Sequence, residues 1–311
     1  MPAQLDLSLL AGISDPDLRA CLERLGTAMT EAPSAPAPEP APSPHAKVIQ
    51  FPLFPEATRP VSNDMARSAL FSCIQGKDRR FIKDALLATV DGVGIRFTGE
   101  QLNQDDHDLL MQLIFMAREK PVGAWVTIPA HAILKALCRQ VGGKQHRDLR
   151  ADIFRLAAGT VSIRIARDRI EVTGHHLLAK ASQHEDSRYW VCRLDPDLAF
   201  LYGGEFYTLI DWDKRLNLKG KDLARWLQLY LATHAKPFPV KVATLRELSG
   251  SRTKALRSFR SQLRLALDAL IANHDIEQWW IAQQTDLVAV DRGEAVTDSQ
   301  RRHMGRKGQR T

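Results

Sequence analysis

Two stretches of the sequence predict the same order of short elements, and this repeated order limits the folds open to the chain. Apolar spacing in the first stretch predicts a helix over residues 104–119, a strand leading into a second helix over 126–140, and a third helix over 144–156. The alternating segment 160–174 then predicts a β-hairpin.

The second stretch repeats the series. It predicts an amphipathic helix over 221–234, a short helix over 242–248, a tight turn, a long helix over 253–273, and two strand-like segments between 277 and 290. Helix, turn, helix and hairpin in this order are typical of a winged-helix domain, whose third helix enters a major groove. We therefore expect an α+β fold built from two tandem winged-helix domains with a flexible N-terminal leader.

Changes in composition predict the domain boundaries. Residues 1–62 form a leader helix and a Pro/Ala-rich linker, in which closely spaced prolines favour extended backbone. Residues 63–195 form the first winged-helix domain, and 196–292 form the second, which we expect to be the main DNA-binding domain. Residues 293–311 form a basic C-terminal tail, suited either to nonspecific phosphate attraction or to solubility.

Composition narrows the class of protein. The chain has 311 residues, and its 43 lysines and arginines exceed its 36 acids, giving a net charge of +7 that suits a polyanionic partner. Its four cysteines are far apart and form no CxxC pair, so no zinc ribbon or redox dithiol is indicated. No apolar run approaches the roughly 20 residues that span a bilayer, and the N-terminus lacks the basic start of a signal peptide. We expect a cytoplasmic protein that does not contact membranes.

The segment 251–273 carries the strongest binding signal. At about 100° per residue, one side of this helix gathers apolar residues, namely Leu256, Phe259, Leu263, Leu267 and Leu270. Another side gathers cations, namely Lys254, Arg257, Arg260 and Arg264, and no acid lies between residues 251 and 267. With Arg252 and the hydroxyls of Ser258 and Ser261, this side fits phosphate contacts and arginine reading of guanine. The alternative is an ordinary solvated helix face.

The corresponding helix of the first domain is a weaker candidate. Its cations Lys144, Arg147, Arg150 and Arg155 are interrupted by Asp148 and Asp152. It fits either a second DNA contact or a dimerisation or auxiliary role.

The sequence predicts no catalytic or cofactor motif. The sequence lacks a GxxxxGK[ST] phosphate loop, a GxGxxG dinucleotide motif and a GxSxG elbow, and its histidines lack metal-ligand spacing. We therefore expect no enzyme activity, no catalytic residue, no metal and no cofactor. A nicking relaxase is the least favoured alternative, because none of the tyrosines adjoins a histidine cluster.

Long blocks of the chain between residues 63 and 290 resemble a known family. Among them are NDMARSALFSCIQGKDRR, GEQLNQDDHDLLMQLIFMA, VTIPAHAILKAL, LRADIFRLAAGTVSI and RTKALRSFRSQLRLALDAL. They resemble the TrfA family of plasmid replication initiators from broad-host-range IncP-type plasmids. The resemblance implies a protein that binds double-stranded iteron repeats in an origin as a monomer, with an inactive homodimer. It also implies opening of adjacent AT-rich DNA, contact with single-stranded origin DNA, plasmid copy control, and contacts with host replication proteins: the initiator DnaA, the helicase DnaB and the polymerase sliding clamp.

The same resemblance implies a clamp-binding segment at residues 66–71. Leu70 and Phe71 would fill an apolar clamp pocket from a mobile arm, or they pack on the first domain instead. Residues 4–10 are a competing clamp motif, with Ser8 where such motifs place phenylalanine.

Two other functions fit the same pattern. A winged-helix transcriptional repressor would bind operator DNA without opening an origin. A protein-interaction scaffold would dock its basic helices on acidic partners, and its DNA binding would depend little on salt.

Overall fold

The computed structural model describes residues 50–75, 78–183, 188–234 and 236–293. The predicted leader helix, the competing clamp motif at 4–10 and nearly all of the C-terminal tail lie outside these residues. Helices and strands are mixed along the described chain, which confirms the α+β class. Among the described residues, no helix has the length and apolar character needed to cross a membrane.

The helices and strands are numbered in chain order. The helices are α1 (Asn63–Ala66), α2 (Gln104–Ala117), α3 (Ala130–Ala136), α4 (Gly143–Ala158), α5 (Trp212–Asn217), α6 (Asp222–Ala232), α7 (Val242–Leu248) and α8 (Leu256–Ala272), with a 3-10 helix at Pro196–Tyr202. The strands are β1 (Thr58–Ser62), β2 (Phe71–Ser72), β3 (Phe81–Leu86), β4 (Val93–Glu100), β5 (Leu102–Asn103), β6 (Trp125–Pro129), β7 (Thr160–Ile165), β8 (Ile170–His176), β9 (Leu178–Ser182), β10 (Tyr189–Leu194), β11 (Tyr207–Asp211), β12 (Val240–Lys241), β13 (Gln278–Ile281) and β14 (Leu287–Asp291).

One topology occurs twice. In the second half, the chain runs α6, β12, α7, α8, β13, β14, and the three strands form an antiparallel sheet of order β12-β14-β13. In the first half, α2, β6, α3, α4, β9 and β10 follow the same sequence, and their sheet has the matching order β6-β10-β9. In both sheets the first strand pairs with the last one.

The hairpin predicted over 160–174 forms, but it belongs to another sheet. Its strands β7 and β8 join β3 and β4 in a four-stranded sheet of order β3-β4-β7-β8. The hairpin that follows the helices in the repeated topology is therefore β9–β10. Period-2 alternation assigns side chains to a face of the sheet and does not identify the partner strand.

Two apolar clusters form the cores. The first includes Phe97, Leu109 and Trp190, and the second surrounds Trp226 and Phe259. Both lie within one compact unit.

The first core extends beyond both predicted boundaries of the first domain, residues 63 and 195. Phe51, Phe54 and Val61 are buried in this core although they precede residue 63. After residue 195 the same core continues through Trp212, because β11 pairs with β1. The second core begins at Leu218.

A buried ionic network connects α2 with α5 and α6. Asp108 on α2 accepts hydrogen bonds from Arg215 Nε at 2.7 Å and from Arg225, and both arginines are almost fully buried. Arg225 also pairs with Asp105 at 2.8 Å. Burial lowers the pKa of Arg215 to about 10, so Arg215 stays charged at neutral pH. These charge-assisted bonds hold α5 and α6 against α2.

Candidate nucleic-acid interface

The predicted long helix forms, but it begins three residues later than predicted. Gly250 ends α7 with a left-handed backbone at a φ of +61°, as a C-terminal glycine commonly does. The Thr253 amide then donates to Ser251 Oγ at 3.3 Å, and Ala255 is extended. Residues 252–254 consequently lie in the turn, and α8 starts at Leu256.

The apolar side of α8 is confirmed. Phe259, Leu263, Leu267 and Leu270 are buried in the second core, and Leu256 packs against it. The α7 helix contacts α8 from one side. This packing leaves the opposite side of α8 facing solvent.

The exposed side of α8 carries unneutralised positive charge. Arg257 and Arg264 are exposed, and neither forms an ion pair with another described residue. Ser258 and Ser261 are exposed between them, and Lys254 is exposed in the preceding turn. Two free guanidinium groups beside small hydroxyls can donate to phosphate oxygens or to the acceptor edge of guanine.

Arg260 departs from the predicted stripe of free cations. Its Nε and Nη2 donate to the two carboxylate oxygens of Asp286 at 3.0 and 2.9 Å. Asp286 stands just before β14, so the pair connects α8 to the β13–β14 hairpin. The helical pattern of residues 251–273 could not indicate this acid, because Asp286 lies 26 positions away from Arg260 along the chain. The pair neutralises Arg260 and makes it a positioning residue for the hairpin.

Arg252 was predicted to contact DNA, and in the structure its guanidinium contacts other residues of the chain. Its guanidinium donates to the Asp78 carbonyl and to Gln101 Oε1, which belong to the first half of the chain. Burial lowers the pKa of Arg252. The residue therefore ties the turn before α8 to the segments around Asp78 and Gln101.

The first-half helix α4 presents fewer free charges than predicted. Lys144 pairs with Asp148 at 2.7 Å within the helix. Arg147 is exposed, and the exposed Arg150 guanidinium lies 5.0 Å from the centre of the Phe154 ring. The α4 helix thus offers two arginines to a partner, beside an exposed aromatic ring.

The segment with the predicted clamp-binding pair is not an exposed arm. Leu70 and Phe71 are each only 1% exposed. Strand β2 at Phe71 pairs in parallel with β5 at Leu102, and the Phe71 ring stacks on the His107 ring with centroids 4.0 Å apart. Both side chains serve the first core, so a clamp could reach them only after this segment opened.

One titratable cluster joins residues that are distant in the sequence. His175 Nδ1 lies 3.1 Å from Asp195 Oδ2 and 3.6 Å from Asp197 Oδ2. Asp195 also accepts the Asp197 amide at 3.0 Å, as the cap of the 3-10 helix. The spacing of the histidines alone could not indicate this cluster, because its acids follow some twenty positions later. Its contacts are those of a hydrogen-bonded histidine combined with a helix cap.

The region that contains both cores also matches known proteins. The family model described as TrfA protein matches residues 46–292. The Plasmid replication initiator protein TrfA of Escherichia coli is 28% identical over 246 residues, which cover 76% of this chain and 64% of that protein. The match thus spans slightly less than two thirds of the length of this relative.

Two solved structures have a similar chain trace. A crystal structure of Pi initiator protein in complex with iteron DNA shows 14% identity and a TM-score of 0.46, covering 61% of this chain and 95% of that one. Domains 2 and 3 of RctB show 13% identity and a TM-score of 0.47, covering 71% and 94%. The family match over residues 46–292 covers most of the chain and confirms the resemblance found in its sequence blocks, so this chain belongs to the TrfA family.

Proposed function

We propose that this chain is a plasmid replication initiator that binds repeated iteron sequences in double-stranded origin DNA. In this proposal both halves of the chain are winged-helix domains, α8 enters a major groove, and the β13–β14 hairpin lies along the DNA backbone. The observation that carries the proposal is the exposed side of α8, where Arg257 and Arg264 have no acidic partner among the described residues. Family membership supports the same role.

The α4 helix of the first half supplies a second DNA contact through Arg147 and Arg150 in this proposal. The buried network of Asp108, Arg215 and Arg225 then fixes the distance between the two contacts. The chain binds iterons as a monomer, and a homodimer is its inactive form. No catalytic step and no cofactor is assigned.

The proposed initiator acts in the cytoplasm. After binding, it opens adjacent AT-rich DNA, contacts the exposed single strand, and brings in the host proteins DnaA, DnaB and the sliding clamp. Copy control would follow from the balance between monomer and dimer.

The test is a fluorescence anisotropy titration of the purified full chain on two labelled duplexes. One carries the repeats of the plasmid that encodes this chain, and the other carries the same bases in scrambled order. We expect the repeats to bind tighter by about 10³-fold or more. If at least two phosphates are contacted, affinity should also fall about tenfold between about 50 and 200 mM salt. Equal binding to both duplexes would refute iteron recognition.

A second assay separates an initiator from a repressor. Permanganate probing of supercoiled plasmid detects unpaired thymines beside the repeats. An initiator produces reactive thymines when the protein is added, whereas a repressor protects its site and leaves the neighbouring duplex paired.

A further inference from the structure

The most exposed large apolar side chain of α8 is Leu265, and the core does not use it. Leu265 is 71% exposed, although it lies in the middle of a helix whose other leucines are mostly buried. It was not part of the predicted binding stripe, because that stripe was defined by charge. No other described residue covers it.

Helix geometry places Leu265 on the side of α8 opposite the second core. At about 100° per residue, Ser261 and Ser258 lie within about 40° of Leu265 around the helix axis. Two contacts mark the flank of α8 that faces the hairpin, namely Arg260 with Asp286 and Asp268 with Trp279 Nε1 at 3.0 Å.

A contact to the preceding turn marks the opposite flank of α8. Gln262 Oε1 accepts a hydrogen bond from Thr253 Oγ1 at 2.9 Å. Leu265 therefore projects between the turn and the hairpin, on the side that a groove would meet.

We propose that Leu265 contacts the C5-methyl group of a thymine in the major groove and so selects a T·A pair. This inference rests on the proposed function, since it assigns a role to the same helix face. A leucine side chain makes no hydrogen bond, and the thymine methyl is the apolar group that a major groove presents. Burying the two against each other removes apolar surface from water on both sides.

Charge favours DNA over a second copy of this chain as the occupant. The free guanidinium groups of Arg257 and Arg264 are exposed at about 80° and about 100° around the helix axis from Leu265, on the flank toward the hairpin. Pairing this side with itself would bring like charges together, whereas a DNA groove brings phosphates to them.

The experiment replaces each thymine of a bound duplex in turn by uracil, which removes only the methyl group. The wild-type full chain first selects a high-affinity duplex from a random-sequence pool, and anisotropy then gives the Kd of every uracil derivative. We expect one position to lose about fourfold in affinity, which corresponds to about 0.8 kcal/mol for one buried methyl group.

Three variants assign that position to Leu265. Leu265→Ala should bind the parent duplex more weakly and lose the uracil penalty, while Leu265→Met should keep it. Ile271→Ala is the matched control, because Ile271 is also an exposed apolar residue of α8 but lies about 120° around the helix. It should behave like the wild type. Circular dichroism and thermal midpoints verify that all variants are folded.

The outcomes separate this inference from the proposed function. Enrichment of no duplex from the pool would refute both. Tight duplex binding without a uracil-sensitive thymine would overturn the role of Leu265 alone, as would a penalty that Leu265→Ala retains. If Leu265→Ala changed the sedimentation of the free protein and left DNA binding intact, Leu265 would be a contact between copies and the inference would be wrong.

Discussion

Arg257 and Arg260 lie three positions apart on one helix, and the structure predicts that their replacement by alanine has unequal effects on DNA binding. Arg257 is exposed and has no acidic partner among the described residues, so its guanidinium is free for a base or a phosphate. Arg260 already donates two hydrogen bonds to Asp286 at 3.0 and 2.9 Å. The sequence of the helix places both arginines on the same cationic side. Only Asp286 of the hairpin, which binds Arg260, makes them different.

The expected magnitudes follow from these contacts. If Arg257 reads a guanine, Arg257→Ala should cost about 1–3 kcal/mol, or about five- to 150-fold in Kd, and should relax sequence preference at one position. If Arg257 contacts a phosphate, the loss should be similar on all sequences and the salt slope should fall by about 0.9. Arg260→Ala removes an ion pair at the protein surface, which is typically worth about 0–1 kcal/mol, so Kd should change by less than about fivefold.

The assay is an anisotropy titration of both variants on the repeat and scrambled duplexes at two salt concentrations. Arg164→Ala is the matched control, since Arg164 is an exposed arginine on β7, away from α8. A loss with Arg260→Ala as large as that with Arg257→Ala would contradict the assignment of Arg260 to the hairpin. Wild-type affinity in the Arg257→Ala variant would refute a role of α8 in binding through this arginine.

Three further predictions concern the scaffold that positions this helix. Phe71→Ala should lower the free energy of unfolding by about 3–5 kcal/mol in urea titrations, because a buried ring is deleted, and wild-type stability would contradict its core position. Asp108→Ala leaves Arg215 and Arg225 buried without their shared carboxylate and should cost about 3–5 kcal/mol, measured the same way, whereas an unchanged midpoint would refute the importance of the network. Burial lowers the pKa of His234 to about 4, below the value near 6.5 of the unfolded chain, so the unfolded state binds the proton first and stability falls as the pH drops from about 6.5 to 4. His234→Gln should lose up to about 1.4 kcal/mol per pH unit of that dependence, and identical pH profiles for variant and wild type would disprove it.

Several local features could be predicted because they depend on neighbouring residues. Helical spacing predicts an apolar side on α6 and on α8, and both helices form with that side in the second core: Leu227 and Leu231 on α6, and Leu263, Leu267 and Leu270 on α8. Asn103 caps α2, as the polar residues there favour, and Asp106 completes a capping box with the Asn103 amide at 2.9 Å. Gly250 supplies the left-handed residue after α7. In each case the residues that predict the feature and the residues that form it lie close together in the sequence.

Contacts between segments that are distant in the sequence could not be predicted in this way. An acid such as Asp106 in the first turn of a helix is typical of a helix start, yet Asp106 is fully buried and also binds Arg79 and Arg155 at 2.5 and 2.7 Å. The apolar pair Leu70 and Phe71 suits a clamp pocket or a protein core equally well. Only the position of β2 beside β5 places them inside.

The sequence by itself determined the α+β class, the helices of both halves, the apolar side of α8 and the TrfA family of this chain. The tertiary structure decided which cations remain free for a partner. Arg257 and Arg264 stay exposed, whereas Arg260 and Arg252 are bound by residues far away in the chain. The physical reason is that periodicity assigns a side chain to a face of its own element, while its charge state and accessibility depend on what packing brings against that face.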